Sequence, residues 1–132
     1  MLYDFKKANP NLAVEGIDIS EYAIANAKPE IKEFLREGNA KELNYEDNSF
    51  DLVISITTVH NLDLKECRKA LMEIERVSKK NKFLTVDAYS NDKEKELMYS
   101  WNLTAQTILH TDEWKKLFLE VKYTGDFYWF EP

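Results

Sequence analysis

Residues 13–27 read AVEGIDISEYAIANA: a short apolar run, an acidic residue at its end, and a helix opening directly behind it. Val14 to Ile19 is apolar and β-branched, the composition of a strand buried inside a parallel sheet. Ser20 is a good N-cap for a following helix whose apolar side carries Tyr22, Ala23, Ile24 and Ala27. Asp18 therefore falls at the carboxyl end of a strand. In open α/β sheets the ligand crevice lies outside those ends, and an acidic residue there can accept hydrogen bonds from both hydroxyls of a ribose. The same carboxylate near a helix amino terminus also complements the helix dipole with no ligand at all. Both readings stand on the residues alone.

Working outward, Tyr3 to Ala8 reads as the last turns of a helix, broken by Asn9, Pro10 and Asn11. Pro29 ends or bends the helix that starts at Glu21, Ile31 to Leu35 offers another helical turn, and Leu35 to Gly38 a short strand. Lys41 to Asn48 is a polar loop. Phe50 to Thr57, FDLVISIT, is the strongest strand, and its near-continuous apolar character predicts burial on both faces. Asp63 to Ser78 carries Leu64, Cys67, Leu71, Ile74 and Val77 at helical spacing. Phe83 to Ala88 is the next strand, and Asn91 to Leu109 reads as helix. Thr111 caps a helix through Leu119. Val121 to Tyr123, the Gly125-Asp126 turn and Phe127 to Phe130 form a closing strand or antiparallel pair. Strands alternating with helices predict one α/β domain over residues 1–132, a Rossmann-like, mostly parallel sheet flanked by helices with an antiparallel C-terminal strand or hairpin.

Composition narrows the function classes. The 132 residues are 44% hydrophobic and 32% charged, as in a globular domain with a core of its own. A net charge of −6 argues against a nucleic-acid footprint, and the cluster Lys79, Lys80, Lys82 reads as a solvated helix end. No apolar run approaches the roughly 20 residues of a membrane span. The first ten residues lack the apolar core of a secretory signal, so a cytoplasmic protein is expected. The single cysteine, Cys67, excludes an internal disulfide and fits a reducing compartment. Two histidines and one cysteine far apart form no metal spacing, and Glu46, Asp47 and Asp51 read as solvated loop charge.

The order of the segments GIDIS (Gly16 to Ser20), GNA (Gly38 to Ala40), LNYEDNSFDLVIS (Leu43 to Ser55) and VHNL (Val59 to Leu62) resembles the class I S-adenosylmethionine-dependent methyltransferases. The DNSFDLVIS piece is the most specific, an acidic turn leading into that family's fourth strand. The resemblance runs from about Leu12 onward. It implies that Asp18 binds the ribose hydroxyls and that Ile19 packs on adenine. Asn39 and Ala40 then stand where the family has an acidic residue and a small one at the adenine edge, and an Asn carbonyl can still accept from the adenine amino group. Ser55 to Thr58, including Thr57, correspond to the segment beside the methionine portion of S-adenosylmethionine. His60 would face the methyl acceptor as a general base, or else serve as a loop histidine that caps the next helix.

The family's first strand and glycine-rich loop have no counterpart: the three glycines are Gly16, Gly38 and Gly125. The sheet is thus expected to be incomplete or rearranged at the first-strand position. The Val14 strand could pair directly with the Leu52 strand, or a homodimer or strand-exchanged oligomer could cover the open edges. Tyr89, Trp101, Tyr128 and Trp129 read as core aromatics; lining a pocket, they would favour a small-molecule methyl acceptor. Two readings of function follow: methyl transfer completed by a neighbour, or an inactive remnant serving as an interaction or scaffold module. A nicotinamide enzyme suits Asp18 equally but needs the same absent glycine fingerprint.

Overall fold

A computed structural model describes residues 1–132, which divide into two compact units, Met1–Asn39 and Ala40–Pro132. The hydrogen-bonded strands fall into two sheets, one in each unit, rather than into one continuous sheet. No helix is long and apolar enough to cross a membrane.

The first unit is α1 (Leu2–Ala8), β1 (Gly16–Asp18), α2 (Glu21–Ala25), α3 (Pro29–Lys32) and β2 (Leu35–Glu37). The strands run parallel with Gly16 beside Leu35 and Asp18 beside Glu37, and the Gly38 amide donates to the Asp18 carbonyl at 3.0 Å. Ser20 Oγ accepts from the Ala23 amide and caps α2, as its position predicts. Pro29 does not bend that helix. It starts α3, where its missing N–H is no loss. The long gap between α1 and β1 is closed by Lys6, whose ammonium donates to the carbonyls of Pro10 and Leu12.

The second unit holds the core. In order it contains β3 (Phe50–Ile56), a 3-10 turn (Val59–Asn61), α4 (Leu64–Val77), β4 (Ser78–Tyr89), α5 (Asp92–Trp101), β5 (Leu109–His110), α6 (Thr111–Glu120) and β6 (Asp126–Phe130). Asp63 caps α4 by accepting the Glu66 amide at 2.8 Å, and the helix buries Cys67, Ala70, Leu71, Ile74 and Val77 on one stripe. That stripe and the Trp114, Leu117 and Phe118 face of α6 cover Leu84, Val86 and Ala88 of β4, with Val53 and Trp129 alongside. Full burial of each large side chain is worth about 1.5–3 kcal/mol, so this single layer of contacts dominates the unit's stability.

β4 is the central strand, paired in parallel with β3, β5 and β6. The closing strand thus departs from expectation: β6 runs parallel to β4, Phe83 beside Asp126 and Asp87 beside Phe130, and residues 121–123 form no strand. The chain comes round through α6, a crossover that permits a parallel return where a hairpin would force an antiparallel one. Lys82 is also not a solvated helix end. It is buried within β4, its ammonium bound to Glu75 Oε1 at 2.7 Å and Thr124 Oγ1 at 3.1 Å. The α5 helix stops at Trp101 rather than Leu109, because Asn102 leaves helical geometry and bonds Ala105 at both its amide nitrogen and its carbonyl oxygen.

Burial on both faces of β3 does not hold either. β3 pairs only with β4, and Leu52 and Ile56 are 48% and 40% exposed. Register places Leu52, Ile54 and Ile56 on the face shared with Phe83, Thr85, Tyr128 and Phe130, opposite the α4 and α6 layer. The loop before β3 is held by Arg76, which chelates Glu73 with two nitrogens, pairs with Asp47, and donates to the carbonyls of Leu43 and Tyr45. The Asp47 charge is therefore neutralised by an arginine.

Gly125 sits where the chain enters β6. A Cβ there would overlap Lys82 Cγ and the Tyr123 hydroxyl and stand 2.6 Å from Tyr123 Cζ. Lys82 is pinned by Glu75, and the Tyr123 ring packs on Phe118, so neither moves freely. Gly125→Ala should lower unfolding stability by about 1–3 kcal/mol in urea titration; an unchanged midpoint would mean that both side chains can shift aside.

Candidate functional site

The carboxyl ends of the strands carry the residues singled out from the sequence. In the first unit Asp18 ends β1 and is exposed; its Oδ1 accepts the Ser20 amide at 2.8 Å, which aims the carboxylate and leaves Oδ2 for another donor. The Asp18–Ser20 bond is an Asx turn, a local device that carries the chain from strand into helix. Ile19 follows at 69% exposure, an apolar surface left largely to solvent. Asn39 lies just beyond β2 and is half-buried. A groove of about 330 Å³ in the same unit is lined by Tyr3, Lys6, Lys7, Pro10 and Glu30, none of them a residue of that reading.

In the second unit Ala40 packs at the edge of the core. Ser55 lies on β3, and its hydroxyl is buried without a hydrogen-bond partner. A buried orphan hydroxyl costs about 1–3 kcal/mol, so something must offset it or use it. Two residues on, Thr57 has a φ of +48°, a left-handed conformation that a β-branched residue adopts only under constraint. The constraint is visible. The Thr57 amide donates to the carbonyl and Oγ1 of Thr85, and its own carbonyl accepts from Asn61 Nδ2 at 3.1 Å. Strained backbone of this kind clusters at ligand-binding turns.

His60 turns inward from the end of β3. It is 3% exposed; its Nδ1 accepts the Asp87 amide at 3.2 Å and its Nε2 lies 3.7 Å from Asp87 Oδ2. Burial pushes the imidazole below its ordinary range, and the Asp87 carboxylate opposes that only in part. With the Nδ1 lone pair engaged and the proton on Nε2, the ring has no free position from which to take a proton. Asp87 was not singled out from the sequence; the pairing of residues 27 apart depends on β4 returning beside the turn. His110 is structural, as expected, but it caps α6 in place of Thr111. Its Nδ1 accepts the Asp112 amide, its own amide donates to Glu113, and Nε2 reaches the Ser90 carbonyl. Cys67 is fully buried, and burial pushes its thiol up to about 12, which makes it inert at neutral pH.

The aromatics divide. Trp114 and Trp129 stack with Phe118 in the core, whereas Tyr128 is 64% exposed and Trp101 meets Phe130 edge-on. No cluster of three or more histidine, cysteine or carboxylate side chains stands close enough to hold a metal ion.

Comparison with known proteins bears on this geometry. The profile of a family described as a methyltransferase domain matches residues 3–86. The chain is 33% identical over 120 residues to an uncharacterized protein of Haemophilus influenzae, covering 81% of this chain and 47% of that protein. It is 36% identical over 80 residues to a demethylmenaquinone methyltransferase of Halalkalibacterium halodurans, covering 56% of this chain and 32% of that one. The chain thus spans less than half the length of these curated relatives. In fold it is similar to a crystal structure from Thermotoga maritima described as a SAM-dependent methyltransferase, possible histamine N-methyltransferase. The TM-score is 0.54 and the identity 23%, over 91% of this chain and 68% of that one.

The strain at Thr57 has a measurable consequence. Thr57→Gly removes a side chain from a left-handed position at the entropic cost of a glycine, so it should raise stability by about 1 kcal/mol. A fall in the urea midpoint would mean that the threonine side chain contributes more than its backbone strain costs.

Proposed function

The chain belongs to the methyltransferase domain family, and we propose that it takes part in methyl transfer from S-adenosylmethionine to a small-molecule acceptor. The observation that carries this reading is Asp18, an exposed carboxylate at a strand's carboxyl end, held by the Ser20 amide with one oxygen left over. Bound there, the cofactor supplies an electrophilic methyl group to an in-line nucleophile.

Every other contribution belongs to the chain. In the first unit Asp18 accepts from the ribose diol, Ile19 offers apolar surface to adenine, and Asn39 meets the adenine edge, where the family resemblance also sets Ala40. In the second unit, the Ser55 hydroxyl without a protein partner and the strained Thr57 turn are the residues that the family resemblance assigns to the methionine portion. Such a site works by holding two reactants in line and excluding water, which can contribute about 7–11 kcal/mol without any covalent nucleophile. No proton transfer is assigned to His60, whose Nδ1 lone pair is engaged by Asp87. We assign the methionine end of the site to a neighbouring copy in a homodimer or strand-exchanged oligomer. The apolar sheet face carrying Leu52, Ile56, Tyr128 and Phe130 and the unpaired edge of β3 support this assignment. The same exposed face supports the second reading, a non-catalytic interaction module.

Titration calorimetry of the chain with S-adenosylmethionine and S-adenosylhomocysteine separates the two. Binding is expected, and Asp18→Ala should weaken it about 10- to 150-fold, the loss of charge-assisted hydrogen bonds worth about 1.5–3 kcal/mol. Absence of binding by the wild-type chain would overturn the cofactor reading and leave the interaction module. Light scattering on the same sample should give a mass at least twice the 15.6 kDa of one chain; a mass of one chain would remove the shared-site assignment.

A further inference from the structure

His60 and Asp87 are buried, titratable and without a part in the transfer chemistry. Around them the turn after β3 is tied down on two sides. On the β4 side, His60 Nδ1 accepts the Asp87 amide while Nε2 faces the Asp87 carboxylate at 3.7 Å. On the other, the His60 carbonyl accepts two amides, Gln106 at 3.0 Å and Thr107 at 2.9 Å. Thr107 Oγ1 donates to the Leu62 carbonyl and Thr104 Oγ1 to Asn61 Oδ1, while the Asn61 amide group reaches back to the Thr57 carbonyl. The imidazole thus anchors, as a clamp, the same turn in which Thr85 and Asn61 hold Thr57 in its left-handed conformation.

We propose that His60, oriented by Asp87, is a positioning residue that keeps the Thr57–Leu62 turn closed only while its ring is neutral, so that mild acid releases the turn. The link from the turn to ligand rests on the reading of Ser55 and Thr57 as part of the cofactor wall. A second proton must go to Nδ1, the atom that now accepts from the Asp87 amide. Two donors then face each other, a buried amide loses its partner, and only the Nε2 contact to the carboxylate remains.

The surroundings do not rescue the charged ring. Asp87, from β4, is the charged group acting on it. The α4 face packed against the turn buries Cys67, whose thiol is uncharged at neutral pH, with Ala70 and Leu71. At the start of α4, Asp63 is exposed and spent on its cap, and Glu66 is paired with Lys41. Residues 104–107 contribute hydroxyls and amides. Because the folded ring protonates below its ordinary value of 6.5, the clamp's stabilisation is complete above that pH and declines as pH falls from there toward the folded value.

Hydrogen exchange on the ligand-free chain at pH 7.5 and 5.5, corrected for intrinsic rates, tests the clamp directly. Peptides covering residues 57–62 and 104–107 should open more at pH 5.5, by at most about tenfold one pH unit below the unfolded value, while the α4 core stays protected. His60→Asn, whose Oδ1 can accept the Asp87 amide but does not titrate, should show no such change. Equal protection of the turn at both pH values in the wild type would overturn the proposal. Wild-type imidazole nitrogen NMR at pH 7.5 should show the Nε2–H tautomer; an Nδ1–H ring would overturn it even if the variant does not fold. Hydrogen exchange at pH 5.5 with saturating S-adenosylhomocysteine then tests the link to ligand. Bound ligand should slow exchange of residues 57–62 in the wild type. Bound ligand that leaves their exchange unchanged would overturn the link. Absence of binding defeats the cofactor reading and leaves the exchange result to decide the clamp.

Discussion

The backbone of Asp87 is the point on which the second unit converges. Its amide is spent on His60 and its carbonyl accepts the Trp114 indole at 2.9 Å, while the residue stands beside Phe130 in the β6 ladder. One peptide segment thus joins the turn after β3, the α6 helix and the closing strand. Such sideways bonds are open to Asp87 because the pairing of β4 with β3 stops at Thr85, and each amide and carbonyl has one principal partner to satisfy. That places the junction at the carboxyl end of β4, the same end at which a parallel sheet presents its loops to ligand.

The elements that could be read from the sequence are those whose patterns are local. Ser20 caps the helix it precedes, the Cys67 to Val77 stripe faces the core, and FDLVISI is a strand, because capping and periodicity are settled within a few residues. What could not be read is settled by distant partners. Lys82 looks like part of a basic helix end until Glu75 and Thr124 close around it. Phe127 to Phe130 carries the alternation of any half-buried strand, and alternation does not encode the direction of the neighbour, so the parallel pairing with β4 had to come from the α6 crossover. FDLVISI has the composition of a strand covered on both faces, yet Leu52 and Ile56 are exposed, since covering depends on which layers stand above it.

The candidate site divides along the same line. The positions of Asp18, Ile19, Ser55 and Thr57 at or beside strand ends were legible, because strand ends follow from pattern. The work of His60 was not legible: a histidine after a strand is equally placed to face solvent or to turn inward, and the Asp87 amide that turns it inward is 27 residues away. The strain at Thr57 was hidden for a similar reason. Nothing in the dipeptide Thr57-Thr58 predicts a left-handed residue; the conformation is imposed by bonds from Thr85 and Asn61.

The loop before β3 shows how charge serves geometry in an acidic chain. Arg76 gathers Glu73, Asp47 and the carbonyls of Leu43 and Tyr45, and the Leu43 amide bonds back to Glu73. Arginine suits this task because its planar fork can chelate a carboxylate and still reach carbonyls on its remaining donors, which a lysine cannot do from one nitrogen. The consequence is that residues 43–48, polar and without secondary structure, are fixed against the end of α4, and β3 begins from a defined position. The strand's far end is then fixed by the Thr57 and His60 bonds. Anchored at both ends by hydrogen bonds, β3 can leave Leu52 and Ile56 open on one face without losing its place in the sheet.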